Sequence, residues 1–156
     1  MTVRALAAIL ALTLAAAVGP VRAQEAADQP PIVAEARAFM EDYAVDLRAG
    51  DREALIARYD AQGMWFVTHG RVDPASHAVL ADLYRRQWTR PAAFEWQDLV
   101  FVPSGRDAVS VIGRFKWTTE QGEVQTIAYH GLLVRIGDAL RIRIEDETPV
   151  PAGNGS

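Results

Sequence analysis

From Ile32 to Ala49, apolar residues recur at spacings of three and four. Ala36, Met40, Tyr43 and Leu47 form one stripe, widened by Phe39 and Ala44, which predicts an amphipathic helix. Gly50 ends it, because glycine takes the left-handed cap conformation at little cost, and Asp51 can cap the next helix. That second helix runs from Arg52 to about Tyr59 and faces inward with Leu55, Ile56 and Tyr59. Met64 to Thr68 reads as a short strand, followed by a turn at His69-Gly70. Asp73-Pro74 has the form of a helix start, and the helix is expected to reach about Trp88 with Val79, Leu80, Leu83 and Trp88 inward. Beyond Pro91 the period changes to two. Strands are expected at Phe94–Val102, Ala108–Trp117, Val124–Ile136 and Leu140–Glu147. Helices followed by a run of hairpin-linked strands predict an α+β fold, with three N-terminal helices packed on an antiparallel sheet.

The last three strands form a meander whose turns set which side chains meet. A two-residue turn at Gln121-Gly122 places Gly113 opposite His130. A three-residue turn at Gly137-Asp138-Ala139 places Leu132 opposite Ile144 and His130 opposite Asp146. One apolar face results, with His130 and Asp146 as its polar interruptions. Opposed Cβ atoms lie about 4.5–5.5 Å apart, within reach of an imidazole–carboxylate hydrogen bond. Two readings fit the pair. His130 is a general base or acid oriented by Asp146, with Gly113 leaving room for a ligand, or the two are a self-satisfied polar pair. The aromatic residues Tyr43, Tyr59, Trp65, Trp88, Trp96 and Trp117 share the expected inner surface. They line a ligand cavity or fill the core; core filling is preferred for Trp65 and Trp88, while Tyr43 and Trp117 suit a cavity best because each has a polar tip. Asp98 joins Tyr59, Trp65, Trp96 and Trp117 as a ligand-contact candidate if the strand from Phe94 keeps its alternation. The opposite face is expected to carry Ser110, Ile112, Arg114 and Lys116, then Gln125, Ile127, Tyr129, Leu133 and Arg135, then Arg141, Arg143, Glu145 and Glu147. Such a mixture suits a homodimer interface or a solvated face with scattered apolar residues.

Composition changes this picture at the N-terminus. Met1–Arg4 is a basic start, Ala5–Val18 is an apolar run, and Val21-Arg22-Ala23 resembles a cleavage site, so residues 1–23 read as a signal peptide and the protein as exported, periplasmic or secreted. Residues 24–31 read as a disordered linker, 32–148 as one domain and 149–156 as a flexible tail. The chain without residues 1–23 carries 14 Lys and Arg against 20 Asp and Glu, a formal charge of −6. That balance argues against nucleic acid and anionic membrane surfaces as partners. The chain has no cysteine, and its three histidines, His69, His77 and His130, show no metal-binding spacing. No phosphate-binding loop or nucleophile elbow occurs, so no metal and no cofactor are expected.

The segment FMEDYAVDLRAGDREALIARYDAQGMWF, the helix expected after Asp73-Pro74 and the four long strands together resemble the nuclear transport factor 2-like (NTF2-like) superfamily, within it the SnoaL-like and DUF4440 group. The resemblance covers about Ile32 to Thr148. Its most specific piece, Gly50-Asp51 through Tyr59-Asp60, marks a fold and not a reaction. It implies a curled antiparallel sheet wrapped around a long helix, an open cone-shaped pocket and frequent homodimers; with the aromatic inner surface, the ligand expected there is small and largely apolar. Ketosteroid isomerases share the fold, and Tyr43 matches their catalytic tyrosine. Their base position falls on Val67 and their second acid near Leu132, so steroid isomerase chemistry is not implied. Polyketide cyclases and scytalone-dehydratase-like members use pocket His and Asp residues, which by similarity gives His130, Asp146 and Tyr43 a proton-transfer role. A non-catalytic binding or assembly module is the alternative.

Overall fold

The computed structural model describes residues 29–68 and 71–151. The segment read as a signal peptide, the His69-Gly70 turn and the last five residues lie outside them. Helix α1 spans Pro31–Ala49, α2 Arg52–Ala57 and α3 His77–Arg86. Strands β1 (Met64–Thr68), β2 (Arg71–Ala75), β3 (Ala93–Pro103), β4 (Ala108–Thr118), β5 (Val124–Ile136) and β6 (Ala139–Pro149) form one sheet in the order β2-β1-β6-β5-β4-β3. The fold is mixed α+β, as expected. Two features of the sheet differ from the sequence reading: β1 pairs with β6 in parallel, and β2 is an additional strand.

The α1 stripe is buried along Ala36, Met40, Tyr43, Ala44 and Leu47. Burying one such large apolar side chain contributes about 1.5–3 kcal/mol. Gly50 adopts φ 74°, and its N–H closes on the carbonyls of Asp46 and Leu47. The Asp51 carboxylate accepts from the Ala54 N–H, 3.0 Å away, and starts α2.

Asp73-Pro74 does not begin a helix. Both residues lie in β2, a sheet-edge strand, where proline's missing N–H leaves no ladder bond unmade. Ser76 is the N-cap instead, its Oγ accepting from the Val79 N–H. The later start rotates the inner stripe of α3 to Leu80, Ala81 and Tyr84, leaving Val79 60% exposed.

The meander also departs from the expected register. Thr119 N–H donates to Glu123 O, closing a three-residue turn at Glu120–Gly122, so Gly113 pairs with Tyr129 and Ile112 with His130. At the other hairpin the turn has two residues, and Ile136 pairs with Ala139. A bulge then intervenes. Leu133 pairs with Ile142 and Leu132 with Ile144, leaving Arg143 as the extra residue. His130 does pair with Asp146, but both face outward: β5 buries Ile127, Tyr129 and Leu133, which turns His130 out, and the bulge turns Asp146 to the same side. Ile142 is buried on one side of the bulge and Glu145 on the other, while Ile144 turns outward. An inserted residue reverses the alternation beyond it.

Candidate functional site

Glu145 is the centre of the site. It is 2% exposed and receives hydrogen bonds from Tyr59 Oη at 2.8 Å and Tyr43 Oη at 3.4 Å. Tyr84 Oη lies 2.8 Å from Tyr59 Oη and 3.4 Å from Tyr43 Oη, and Tyr43 Oη lies 2.9 Å from Tyr59 Oη. Tyr129 is the fourth buried tyrosine, and its Oη near Glu145 has no partner at hydrogen-bonding geometry. The chain has four tyrosines, and all four gather at this carboxyl.

Local sequence explains the gathering. Tyr43 sits on the buried stripe of α1, and Tyr84 on that of α3. Tyr59 follows α2 and forms a parallel bridge with Ile142. Backbone bonds from Ile142 N–H to Arg58 O and from Asp60 N–H to Ile142 O fasten the chain there. The Asp60 carboxylate, 1% exposed, then pairs at 3.1 Å with Arg143, the bulged residue. Tyr59-Asp60 thus ties down the bulge with one residue and reaches the inward carboxyl with the other. Tyr129 needs Gly131: a Cβ there would stand 2.5 Å from its hydroxyl oxygen.

Burial pushes the Glu145 carboxyl up to about 7, with the tyrosine hydrogen bonds offsetting part of the effect. Glu147 is pushed up as well, first by desolvation and then by the neighbouring charges of Glu145 and Asp146. Its side chain touches water, yet it stands on the wall of a recess with protein on most sides, which reconciles accessibility with poor solvation. Burial, followed by the Glu145 charge, raises the hydroxyls of Tyr43, Tyr59 and Tyr129, so the tyrosines stay protonated and donate.

Glu145 and Glu147 open onto a cavity of about 280 Å³. Tyr84, Trp88, Phe94, Trp96, Phe115 and Trp117 supply most of its walls. The rings meet mainly edge to face: Trp88 against Trp117 at 6.2 Å and Phe94 against Trp96 at 4.8 Å. Trp96 Nε1 donates to the Met40 carbonyl at 2.9 Å, which fixes its ring. Such a concave, aromatic enclosure with few polar groups is the form of a small-molecule site.

Of the expected residues, the structure brings Tyr43, Trp96 and Trp117 to this cavity and places Tyr59 directly behind it. Trp88, read as core filling, lines the cavity instead. Three further placements are corrected. His130 is exposed, and it and Asp146 point away from the cavity; no hydrogen bond joins them, and Asp146 instead accepts from Thr148 Oγ1 at 3.1 Å. Trp65 is 46% exposed on the same outer face, beside Ile144. Asp98 lies in a bulge of β3 with φ 52° and forms a surface ion pair with Arg114. Gly113 does not leave ligand space either, since Leu99 and the Gln97 carbonyl of that bulge fill it. Tyr84, Tyr129, Glu145 and Glu147 were missed as site residues. A helix beginning at His77 would have aligned Leu80, Tyr84 and Trp88 at four-residue steps. No sequence signal marked Arg143 as a bulge. Among the described residues, no group of His, Cys, Asp and Glu is arranged to hold a metal ion, and no helix is long and apolar enough to cross a membrane.

A layer of helices on a six-stranded mixed sheet, with an aromatic cavity between them, defines an NTF2-like fold. Solved structures agree. An NTF2-like protein of unknown function from Shewanella oneidensis matches with TM-score 0.63 at 14% identity, over 73% of this chain and 96% of that one. A provisionally named dehydratase of the NTF2-like family from Streptomyces avermitilis matches with TM-score 0.62 at 14% identity, over 78% and 97%. A provisionally named ketosteroid isomerase from Parabacteroides distasonis matches with TM-score 0.61 at 12% identity, over 73% and 84%. No protein-family model matches the sequence, and no curated protein matches it significantly. These likenesses concern the fold.

Proposed function

We propose that this is a SnoaL-like small-molecule-binding protein whose cavity takes a small, largely apolar ligand, with Glu145 as its proton-transfer group. The observation that carries the reading is the buried carboxyl held near neutrality beside an aromatic cavity, with tyrosine donors around it. A carboxyl in that range can both accept and return a proton at physiological pH, as an isomerase, lyase or cyclase step requires. Tyr43 keeps its proposed role as hydrogen-bond donor, here toward Glu145 and any oxyanion beside it. Glu145 takes the position in the proposal first given to His130 and Asp146.

The test is a thermal-shift screen of small hydrophobic molecules against the wild type and Leu83→Trp. Leu83 lines the cavity and is 37% exposed, so a larger side chain there narrows the cavity without refilling the core. A ligand at 100 times its dissociation constant stabilises by about 2.7 kcal/mol. Ligands that stabilise the wild type should lose that effect in Leu83→Trp. Equal stabilisation of both would place binding elsewhere. For proton transfer, deuterium exchange into an acidic C–H of a bound ligand should stop in Glu145→Gln.

A second reading concerns assembly. Along the outer sheet face, Val102, Ser110, Leu132, Ile144 and Trp65 follow one another across five strands, with Val100 and Ile112 alongside. Val100 is 56% exposed and Ile112 47%, an apolar surface that suits pairing of two copies. Light scattering should give a dimer for the wild type and a monomer for Ile112→Asp; a wild-type monomer at high concentration rules pairing out. Export remains part of the proposal on the strength of residues 1–23, and N-terminal sequencing of the secreted product should begin at Gln24.

A further inference from the structure

We propose that the cavity selects an organic cation: an apolar body carrying a tertiary or quaternary ammonium group. The inference rests on the cavity being a ligand site and names the chemistry of the ligand.

Elsewhere on the described residues, arginine neutralises carboxylates repeatedly: Arg58 with Asp46, Arg85 with Glu53, Arg135 with Glu35, Arg143 with Asp60. The cavity is different. Glu145 and Glu147 stand two residues apart on one strand face, and no Lys, Arg or His occurs among the described residues that line it. Eight of the other twelve lining residues are aromatic, including the indoles of Trp88, Trp96 and Trp117, and Leu47, Leu83, Ile127 and Gln125 complete the walls. Ring faces attract cations through their quadrupoles, most strongly for tryptophan, and the attraction grows when water is excluded. An anion would meet two carboxyls with no compensating charge. A neutral molecule would leave the buried Glu145 without a counter-charge. A cation with an apolar body satisfies both walls together.

The groups facing the two carboxyls are Tyr43 from α1, Tyr59 after α2, Tyr84 from α3 and Tyr129 from β5; Asp146, between them on β6, points to the opposite face and adds only a neighbouring negative charge. All of these are neutral donors or further negative charge. Ionisation of Glu145 and Glu147 should therefore strengthen cation binding, and the bound cation should displace protons from them.

The experiment is calorimetric titration of the full chain with benzyltrimethylammonium, its neutral isostere neopentylbenzene and the anion benzenesulfonate, at pH 6 and pH 8.5. The cation should bind about tenfold more tightly than the isostere at pH 8.5, and the preference should shrink to about threefold or less at pH 6. Near pH 7, titrations in buffers of different ionisation enthalpy should show proton release on binding. Glu147→Gln should lower cation affinity and leave the isostere unchanged; because Glu147 is exposed, this variant serves even if Glu145→Gln does not fold. If isostere and cation bind equally, or the anion binds best, the inference fails while the cavity remains a ligand site. If none of the three binds at millimolar concentration, both readings fail. Cation binding undiminished in Leu83→Trp would mean adventitious attraction to the acidic surface and would also overturn the proposal.

Discussion

The two faces of the β5–β6 hairpin carry similar chemistry one residue apart and treat it differently. On the inner face Tyr129 and Glu145 are buried, and the carboxyl is pushed up toward neutrality. On the outer face His130 and Asp146 are cross-strand partners, yet His130 is exposed and no hydrogen bond links them. Sequence neighbours, opposite environments. An ionisable side chain gains unusual chemistry from what excludes water around it, and here one step along a strand decides that. The step is set by the bulge at Arg143, so the sharpest way to break the contrast is to loosen the bulge.

Arg143→Ala should have the largest effect. It strips the cation from Asp60, which is 1% exposed, and leaves a buried carboxylate without its ion pair. Such losses cost about 3–5 kcal/mol, and the partial exposure of Arg143 places this one near the lower value. Urea unfolding should report it as a lower midpoint. A change under about 1 kcal/mol would show that the backbone bonds between Arg58, Asp60 and Ile142 hold the bulge by themselves.

Glu145 should govern how stability responds to pH. Below the ordinary glutamate value of 4.5 its carboxyl is protonated in folded and unfolded chains alike, and it imposes no penalty. As pH rises from 4.5 to about 7, the unfolded chain gives up this proton while the folded chain retains it, so the folded state loses ground. The loss is on the order of 3 kcal/mol and levels off above that window. The difference between wild type and Glu145→Gln reports this term together with the share of the Glu147 shift that the Glu145 charge causes: the variant should gain stability relative to the wild type between pH 4.5 and 7. Parallel curves would mean that Glu145 ionises as freely folded as unfolded.

What the sequence made legible follows the same division. Periodicity revealed α1, α2 and the four long strands, because each buries a regular stripe over most of its length, even where a bulge interrupts β3 or β6. Tyr43, Trp96 and Trp117 came with them, since residues on a buried stripe must face whatever the core encloses. The carboxyls did not. Ile142 and Ile144 alternate as an unbroken strand would, and that pattern sends Glu145 outward. Only the Asp60–Arg143 pair, formed between residues far apart in sequence, shows that the alternation resets. Pro74 misled for a related reason: proline's fixed φ suits a first helical turn and an edge strand equally, and pairing with β1 decides between them.

The smallest expected effect is the one that tests the contrast from its outer side. His130 is exposed, with Ile112 across one strand pair and Asp146 across the other, and no hydrogen bond from its ring restrains it. His130→Ala should therefore change stability by no more than about 0.5 kcal/mol, as surface substitutions away from caps and ion pairs usually do. Affinity for any ligand that Leu83→Trp blocks should stay unchanged as well, because the sheet backbone stands between the imidazole and the cavity. A loss of affinity approaching tenfold would mean that the outer face communicates with the ligand after all. If that loss appeared only at concentrations where two copies pair, the route would run through the partner's surface, and the inner face would no longer be the whole site.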